Sequence, residues 1–152
     1  MQIGDQFPKF TLPRDGGGSM SLADFKGQKL VLFLYPKDDT PGCTLESIEF
    51  TARSEDFAAA GATIVGLSKD SAASHDKFIK KHDLGMPLLS DEAGSLLETL
   101  GCWVEKNMYG RTYMGIERTT FLIDEAGVIR HIWNKVKVKG HVDAVLEAVK
   151  TL

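Results

Sequence analysis

Cysteine is nearly absent from this sequence: 152 residues hold only Cys43 and Cys102. Two thiols are too few for a disulfide framework at this length. A reducing cytosol, with reactive rather than structural thiols, is the expectation. An excess of charge of one sign is missing too. Eighteen Lys and Arg stand against 21 Asp and Glu, a net charge of −3, so no broad basic surface for nucleic acid is expected. No run of about eighteen apolar residues and no N-terminal hydrophobic segment occurs, which argues against a membrane span or a secretion signal. The four histidines, His75, His82, His131 and His141, share no metal-ligand spacing, and solvated or capping positions are the expectation for them. Internal repeats, linkers and low-complexity tracts are absent as well. At 43% hydrophobic and 26% charged, the composition is that of a folded globule, and the length fits one domain, residues 1–152.

What the chain does have is a dense stretch that ends at Phe50. Leu30-Val31-Leu32-Phe33-Leu34 is an unbroken apolar run, as in a parallel strand covered on both faces. Tyr35 to Asp39 is a short polar loop containing Pro36. Thr40-Pro41-Gly42-Cys43 then opens a helix. Thr40 suits the N-cap, and Pro41 suits the first helical position, where no donor is needed. Cys43 falls third after the cap, where a capping-box carboxylate often sits. Free N–H groups and the positive end of the helix dipole favour an anion at that position. The motif is not a C-x-x-C pair, because Glu46 fills the second place. It is not a zinc site, because no second cysteine or histidine lies near in sequence.

The rest of the chain supplies a scaffold. Met1 to Pro13 and Met20 to Phe25 read as two short edge strands about the turn at Gly16-Gly17-Gly18, a hairpin placed before the main fold. The helix from Pro41 is expected to reach about Ala60. Leu45, Ile48, Ala52 and Phe57 suggest its buried stripe, and Glu49 and Arg53 an i,i+4 pair on its wet side. Ala62 to Leu67 is a second buried strand. Asp70 or Ser71 caps a helix to about Asp83, closed at Gly85, with Phe78 and Ile79 inward. Pro87 to Asp91 is a short strand and Ala93 to Leu100 a short helix. Cys102 to Gly115 lacks a clear period and reads as loop with one extended piece, with Trp103 and Tyr109 in core or rim packing. Thr119 to Ile123 and Val128 to Trp133 form a hairpin. Val142, Val145, Leu146, Val149 and Leu152 line one face of a final helix after Gly140. Strands alternating with helices and a closing hairpin imply an α/β domain with a mixed central sheet flanked by helices.

The spacing Pro36-x-x-x-Thr40-x-x-Cys43 resembles the peroxidatic motif of peroxiredoxins. The string YPKDDTPGCTLE is similar to the peroxiredoxin Q, or bacterioferritin-comigratory-protein, branch, and so is KNMYGRTYMGIERTTFLID from Lys106 to Asp124. The likeness spans about Ile3 to the C-terminal helix. It implies a thioredoxin-like fold and a thiol-dependent peroxidase that needs no cofactor or metal. Peroxide is the implied substrate, thioredoxin or another thiol the implied reductant, and a monomer or weak dimer the implied state. By resemblance, Cys43 is the peroxidatic cysteine, and Arg118 stabilises its thiolate and the transition state. Thr40 adds a hydrogen bond to the thiolate and the bound peroxide, and Pro36 shapes and shields the pocket.

Cys102 fits neither common position of a resolving cysteine in that family. Five residues after Cys43 stands Ile48, and the helix from Ser71 to Asp83 has no cysteine. A packing role and a resolving role for Cys102 both stay open. Two other functions remain as alternatives: a disulfide reductase on a similar scaffold, opposed by the missing C-x-x-C, and a redox sensor or holdase.

Overall fold

Six residues, Lys29–Leu34, form a strand buried along nearly its whole length, and its pleat feeds two separate cores. Leu30, Leu32 and Leu34 face one side; Val31, Phe33 and the following Tyr35 face the other. In the computed structural model, which describes residues 1–152, the other elements are arranged about this strand.

The chain begins with a small antiparallel hairpin, β1 (Thr11–Pro13) and β2 (Ser19–Ser21). The expected strand from Met20 to Phe25 is cut short. Leu22–Phe25 coil into one 3₁₀ turn, whose start is fixed by the Asp24 carboxylate accepting the Ser21 N–H at 2.8 Å. The strand Lys29–Leu34 is β3. Two helices follow, α1 (Pro41–Ala52) and α2 (Ser54–Ala59), in place of the single helix expected. Arg53 breaks them (φ −105°, ψ 8°), and its guanidinium donates to Asp56 and Asp143 rather than pairing with Glu49. No glycine or proline announces that break in the sequence.

β4 (Ala62–Ser68) runs parallel to β3. α3 (Ala72–His82) is capped by Ser71 Oγ, which accepts the Ser74 N–H at 3.1 Å. It stops on left-handed Asp83 (φ 52°), before the expected Gly85. β5 (Leu88–Ser90) pairs parallel to β4, and α4 (Ser95–Thr99) follows. The stretch read as loop is instead a second antiparallel ribbon, β6 (Trp103–Met108) and β7 (Arg111–Ile116). Its turn, Tyr109-Gly110, has φ of 53° and 78°, as a tight hairpin turn requires. The ribbon is wet over most of its surface, so no apolar alternation betrays it. Tyr109 stands free at its tip rather than packed. β8 (Thr119–Ile123) lies antiparallel to β3, β9 (Ile129–Trp133) pairs with β8, and α5 (His141–Lys150) closes the chain.

The sheet order β5-β4-β3-β8-β9 is mixed, as expected. The N-terminal hairpin and α4 cover the Leu30 face, with Phe7, Phe10, Leu96 and Leu97 packed there. The helices α1, α2, α3 and α5 cover the Val31 face, with Phe50, Phe57, Phe78 and Val145. Each such side chain contributes roughly 1.5–3 kcal/mol of burial. Gly66 on β4 has a specific task. A Cβ there would meet Leu88 at 2.6 Å, Phe33 at 3.0 Å and Tyr35 at 3.2 Å, so only glycine lets those groups lie flat on the strand. Tyr35 is thereby seated under the loop that joins β3 to α1.

Candidate active site

The loop from Tyr35 to Thr40 carries the chain from β3 into α1. Pro36 is half-buried at its start. Thr40 takes extended N-cap geometry (φ −97°, ψ 154°) and Pro41 the first helical position, so Cys43 is in the first turn. The N–H groups of Gly42 and Cys43 have no intrahelical acceptor there. The inward face of α1 is not its apolar one. Leu45, Ile48 and Ala52 stay exposed, whereas Cys43, Glu46, Ser47 and Phe50 are buried. Of the expected stripe only Phe57 is inside. Hydrophobic periodicity marks a buried face only where burial is apolar, and here the inner face holds the site.

Arg118, between β7 and β8, lays its guanidinium across the first turn of α1. Nη2 donates to Cys43 Sγ at 3.1 Å, and Nη1 donates to Glu46 Oε1 at 2.7 Å. A Cβ on Gly42 would sit 3.2 Å from Nη2, so glycine leaves room for the arginine. Burial works against the Arg118 charge, but Glu46 and Cys43 outweigh it, and the net shift in its pKa is upward. Lys106 on β6 shares this field: burial and then Arg118 lower its pKa, against a pull from Cys43.

Glu46 is fully buried, and its Oε2 has no hydrogen-bond partner. Burial raises its pKa to about 7 despite the opposing pull of Arg118. His141 Nε2 lies 3.9 Å from that oxygen and 2.8 Å from Thr120 Oγ1. Burial, then Arg118, pushes the His141 pKa down to about 4, so its ring is neutral at neutral pH. His141 and His75 are both buried, which corrects the expectation of solvated or capping histidines; His82 and His131 keep to the surface side.

Thr40 caps by backbone position alone. Its Oγ1 donates to the Lys37 carbonyl at 2.8 Å, so its one proton is committed there and only lone pairs remain to offer. Of the polar segment Lys37-Asp38-Asp39, Lys37 and Asp39 are exposed, as expected of a solvated loop, and only Asp38 departs from that expectation. Asp38 is buried against Tyr35, Ser74 and His75, and Asp39 binds Lys81 and His82. Asp38, Asp70 and His75 group their ligand-type atoms within 4.8 Å, but both His75 ring nitrogens are taken, by Asp38 and by the Leu89 carbonyl.

Cys102 lies elsewhere. It packs with Leu30, Leu32 and Leu34, across the sheet from Cys43, and its Sγ is 3.7 Å from the Leu100 carbonyl. Burial raises the Cys102 pKa. Both cysteines are free. The structure thus brings Cys43, Thr40, Arg118 and Pro36 to one end of β3 and leaves Cys102 out. Sequence reasoning does not single out Glu46 and Lys106, and it reads His141 and Asp38 as solvated rather than as buried beside the site. For Glu46 a signal existed: it stands three residues after Cys43, on the same helical face one turn later.

The AhpC/TSA family matches residues 3–132. The Bacillus subtilis peroxiredoxin Bcp is 45% identical over 152 residues, covering all of this chain and 97% of that protein. Among solved structures, the Xanthomonas campestris bacterioferritin comigratory protein superposes with a TM-score of 0.89 at 45% identity, over 93% of this chain and 90% of that one. Xylella fastidiosa PrxQ superposes with a TM-score of 0.94 at 39% identity, over 99% and 96%. The fold is therefore thioredoxin-like, and the chain belongs to the AhpC/TSA family, in the Bcp or peroxiredoxin Q branch of the peroxiredoxins.

Proposed function

We propose that this chain is a thiol-dependent peroxidase whose reacting atom is Cys43 Sγ. One observation carries the reading: the Arg118 guanidinium donates to that sulfur at 3.1 Å, at the open end of a helix. A cation and free N–H groups favour an anion there, and a thiolate is the nucleophile that attacks a peroxide. It attacks one peroxide oxygen. An S–O bond forms as the O–O bond breaks, the sulfur is oxidised to sulfenic acid, and the leaving oxygen takes a proton to become water or an alcohol. Negative charge moves from sulfur to the leaving oxygen, within reach of the same guanidinium. That is electrostatic stabilisation aimed at developing charge. Thr40, its proton committed to Lys37, accepts the O–H of the incoming peroxide and so orients it. Pro36 keeps the loop closed over the sulfur.

An external thiol, thioredoxin or another, then attacks the sulfenic sulfur, forming a mixed disulfide and releasing water. A second thiol of the reductant attacks the reductant's sulfur in that bond; the reductant leaves as a disulfide and Cys43 returns to thiol. Cys102 does not serve as the internal partner in this reading, because a disulfide needs Cα atoms within about 7 Å and converging Cβ vectors, while the two cysteines pack on opposite faces of the sheet. No helix is long and apolar enough to cross a membrane. A reducing, cytoplasmic compartment suits two free thiols, and a monomer or weak dimer suits a site drawn from a single chain.

One equivalent of hydrogen peroxide, followed by intact mass spectrometry, tests the cycle. The expected product is one oxygen heavier and is trapped by dimedone on Cys43. Loss of two hydrogens with a Cys43–Cys102 cross-link would make Cys102 the resolving residue.

A further inference from the structure

The loop that carries Pro36 and Thr40 is held from behind by one face of α3. Ser74, His75, Phe78, Lys81 and His82 share that face at helical spacing. Two successive loop residues are gripped by it. The Asp38 carboxylate accepts from Tyr35 Oη at 2.6 Å through Oδ1, and through Oδ2 it accepts from Ser74 Oγ at 2.8 Å and meets His75 Nδ1 at 2.8 Å. Asp39, in the left-handed region (φ 59°), is held by Lys81 Nζ at 2.7 Å and His82 Nε2 at 2.9 Å.

The Lys37–Asp38 peptide group links this grip to the site. Its N–H donates to Asp70 Oδ2 at 2.8 Å, and its carbonyl accepts the Thr40 hydroxyl at 2.8 Å. Asp70 Oδ2 is itself fixed by Ser68 Oγ at 2.6 Å. The direction of that peptide therefore decides where the Thr40 proton goes, and so which side of Oγ1 faces a substrate.

We propose that His75 is a positioning residue for peroxide reduction. Clamping Asp38 from α3, together with Asp70, it fixes the Lys37–Asp38 peptide that aims the Thr40 hydroxyl. The inference rests on the peroxidase reading above. His75 Nε2 lies 2.9 Å from the Leu89 carbonyl, which only accepts, so Nε2 carries a proton. Nδ1 then faces a carboxylate oxygen, and the pair closes with a second proton between them. Burial alone would push the His75 pKa down; the bonds to Asp38 and Leu89 and the nearby Asp70 outweigh it, so the net shift is upward. The charged and titratable groups around it are Tyr35 and Asp38 from the loop after β3 and Asp70 from the loop after β4. With the His75 and Asp38 side chains 0% and 4% exposed, water cannot replace a lost partner.

The test is a double-mutant cycle read as the second-order rate of Cys43 oxidation by hydrogen peroxide, with circular dichroism on each protein. His75→Leu is expected to slow oxidation about 10- to 100-fold, the scale of a small misplacement at a reacting centre. His75→Asn, which returns an N–H near the Nδ1 position, recovers most of that loss. In a Thr40→Val background, His75→Leu changes the rate less than about twofold, because the hydroxyl it acts through is gone. Asp70→Asn shows the same dependence on Thr40 and carries the test if the leucine variant does not fold. An equal loss with and without the Thr40 hydroxyl, or folded variants with undiminished rates, overturns the inference. If the wild type itself consumes no peroxide, the peroxidase reading fails instead.

Discussion

Cys43 and Cys102 are almost equally hidden, 1% and 3% exposed, yet their surroundings differ in every chemical respect. Cys43 sits at the start of a twelve-residue helix, under a guanidinium, one turn from a buried carboxylate. Cys102 follows a short helix on the far side of the sheet, among leucines, with its sulfur 3.7 Å from the Leu100 carbonyl. A carbonyl and a dry core favour the thiol; a cation and free N–H groups favour the thiolate. On the proposed reading, reactivity follows the sign of the charge that the fold places at the sulfur rather than its burial.

The sharpest way to break that contrast is to exchange the two sulfurs for oxygen. Cys43→Ser should abolish peroxide consumption in the presence of thiol, because the one thiol held against a guanidinium is gone. Cys102→Ser should leave the first oxidation of Cys43 near the wild-type rate. Stopped-flow measurement of peroxide loss reads both. Consumption surviving in the Cys43 variant would sink the assignment.

Next in size is the cation. Arg118→Ala removes the donor at 3.1 Å and should slow Cys43 oxidation on the order of 10²–10³-fold, the usual cost of one preorganised donor. Arg118 also serves Glu46, so the variant leaves a buried carboxylate without its ion-pair partner. Arg118→Lys should recover only part of the rate, since an ammonium has no planar fork to span both partners. A wild-type rate in Arg118→Ala at neutral pH would remove the cation from the argument.

The contrast also explains what the sequence disclosed. The apolar side of the fold was legible: the β3 run, the α5 stripe and the β8–β9 hairpin all stand where their periods put them. The thiol at the helix start was legible because capping chemistry is local: a threonine, a proline and a position count. The polar side was not legible in the same way. Glu46, Asp38, His75 and His141 are inside because each finds a partner far along the chain, and a single residue type does not announce a distant partner. The stripe assigned to Leu45 and Ile48 went wrong for that reason. An apolar pattern marks the inner face of a helix only where that face is apolar, and the inner face of α1 is partly polar. The β6–β7 ribbon escaped for the opposite reason, since little of it is buried and nothing imposes alternation.

A smaller effect follows from Glu46. Its folded pKa of about 7 lies above the ordinary carboxylate value of 4.5, so its proton stabilises the fold fully below about pH 4.5, and that contribution is lost as pH rises through about 7. His141 runs the other way: folded at about 4 against an ordinary 6.5, it contributes above 6.5 and loses this as pH falls through about 4. Glu46→Gln deletes the first dependence and keeps the second. Urea unfolding at about pH 5 and about pH 8 should therefore show the wild type losing up to roughly 3 kcal/mol against the variant across the interval, the ceiling set by the size of the shift. A difference that stays constant with pH would mean that Glu46 is ionised throughout.

The smallest expected effect is on the quiet side of the sheet, and it decides whether Cys102 only packs. Cys102→Ala removes one sulfur from a close-packed core and leaves a cavity smaller than a leucine truncation would. The cost should be about 1 kcal/mol of unfolding free energy, below the 2–5 kcal/mol range of larger truncations. Urea denaturation reads this, with an unchanged m-value if the native state keeps its shape. The same protein should turn over peroxide with an external thiol at the wild-type rate, because the reductant needs only the mouth of the Cys43 pocket. An internal disulfide would instead require the first turn of α1 to open and the sulfur to pass to the other face of β3. If Cys102→Ala keeps a normal first oxidation but stalls in the second turnover, then the two sulfurs do meet, and the separation of the two faces is crossed during the cycle.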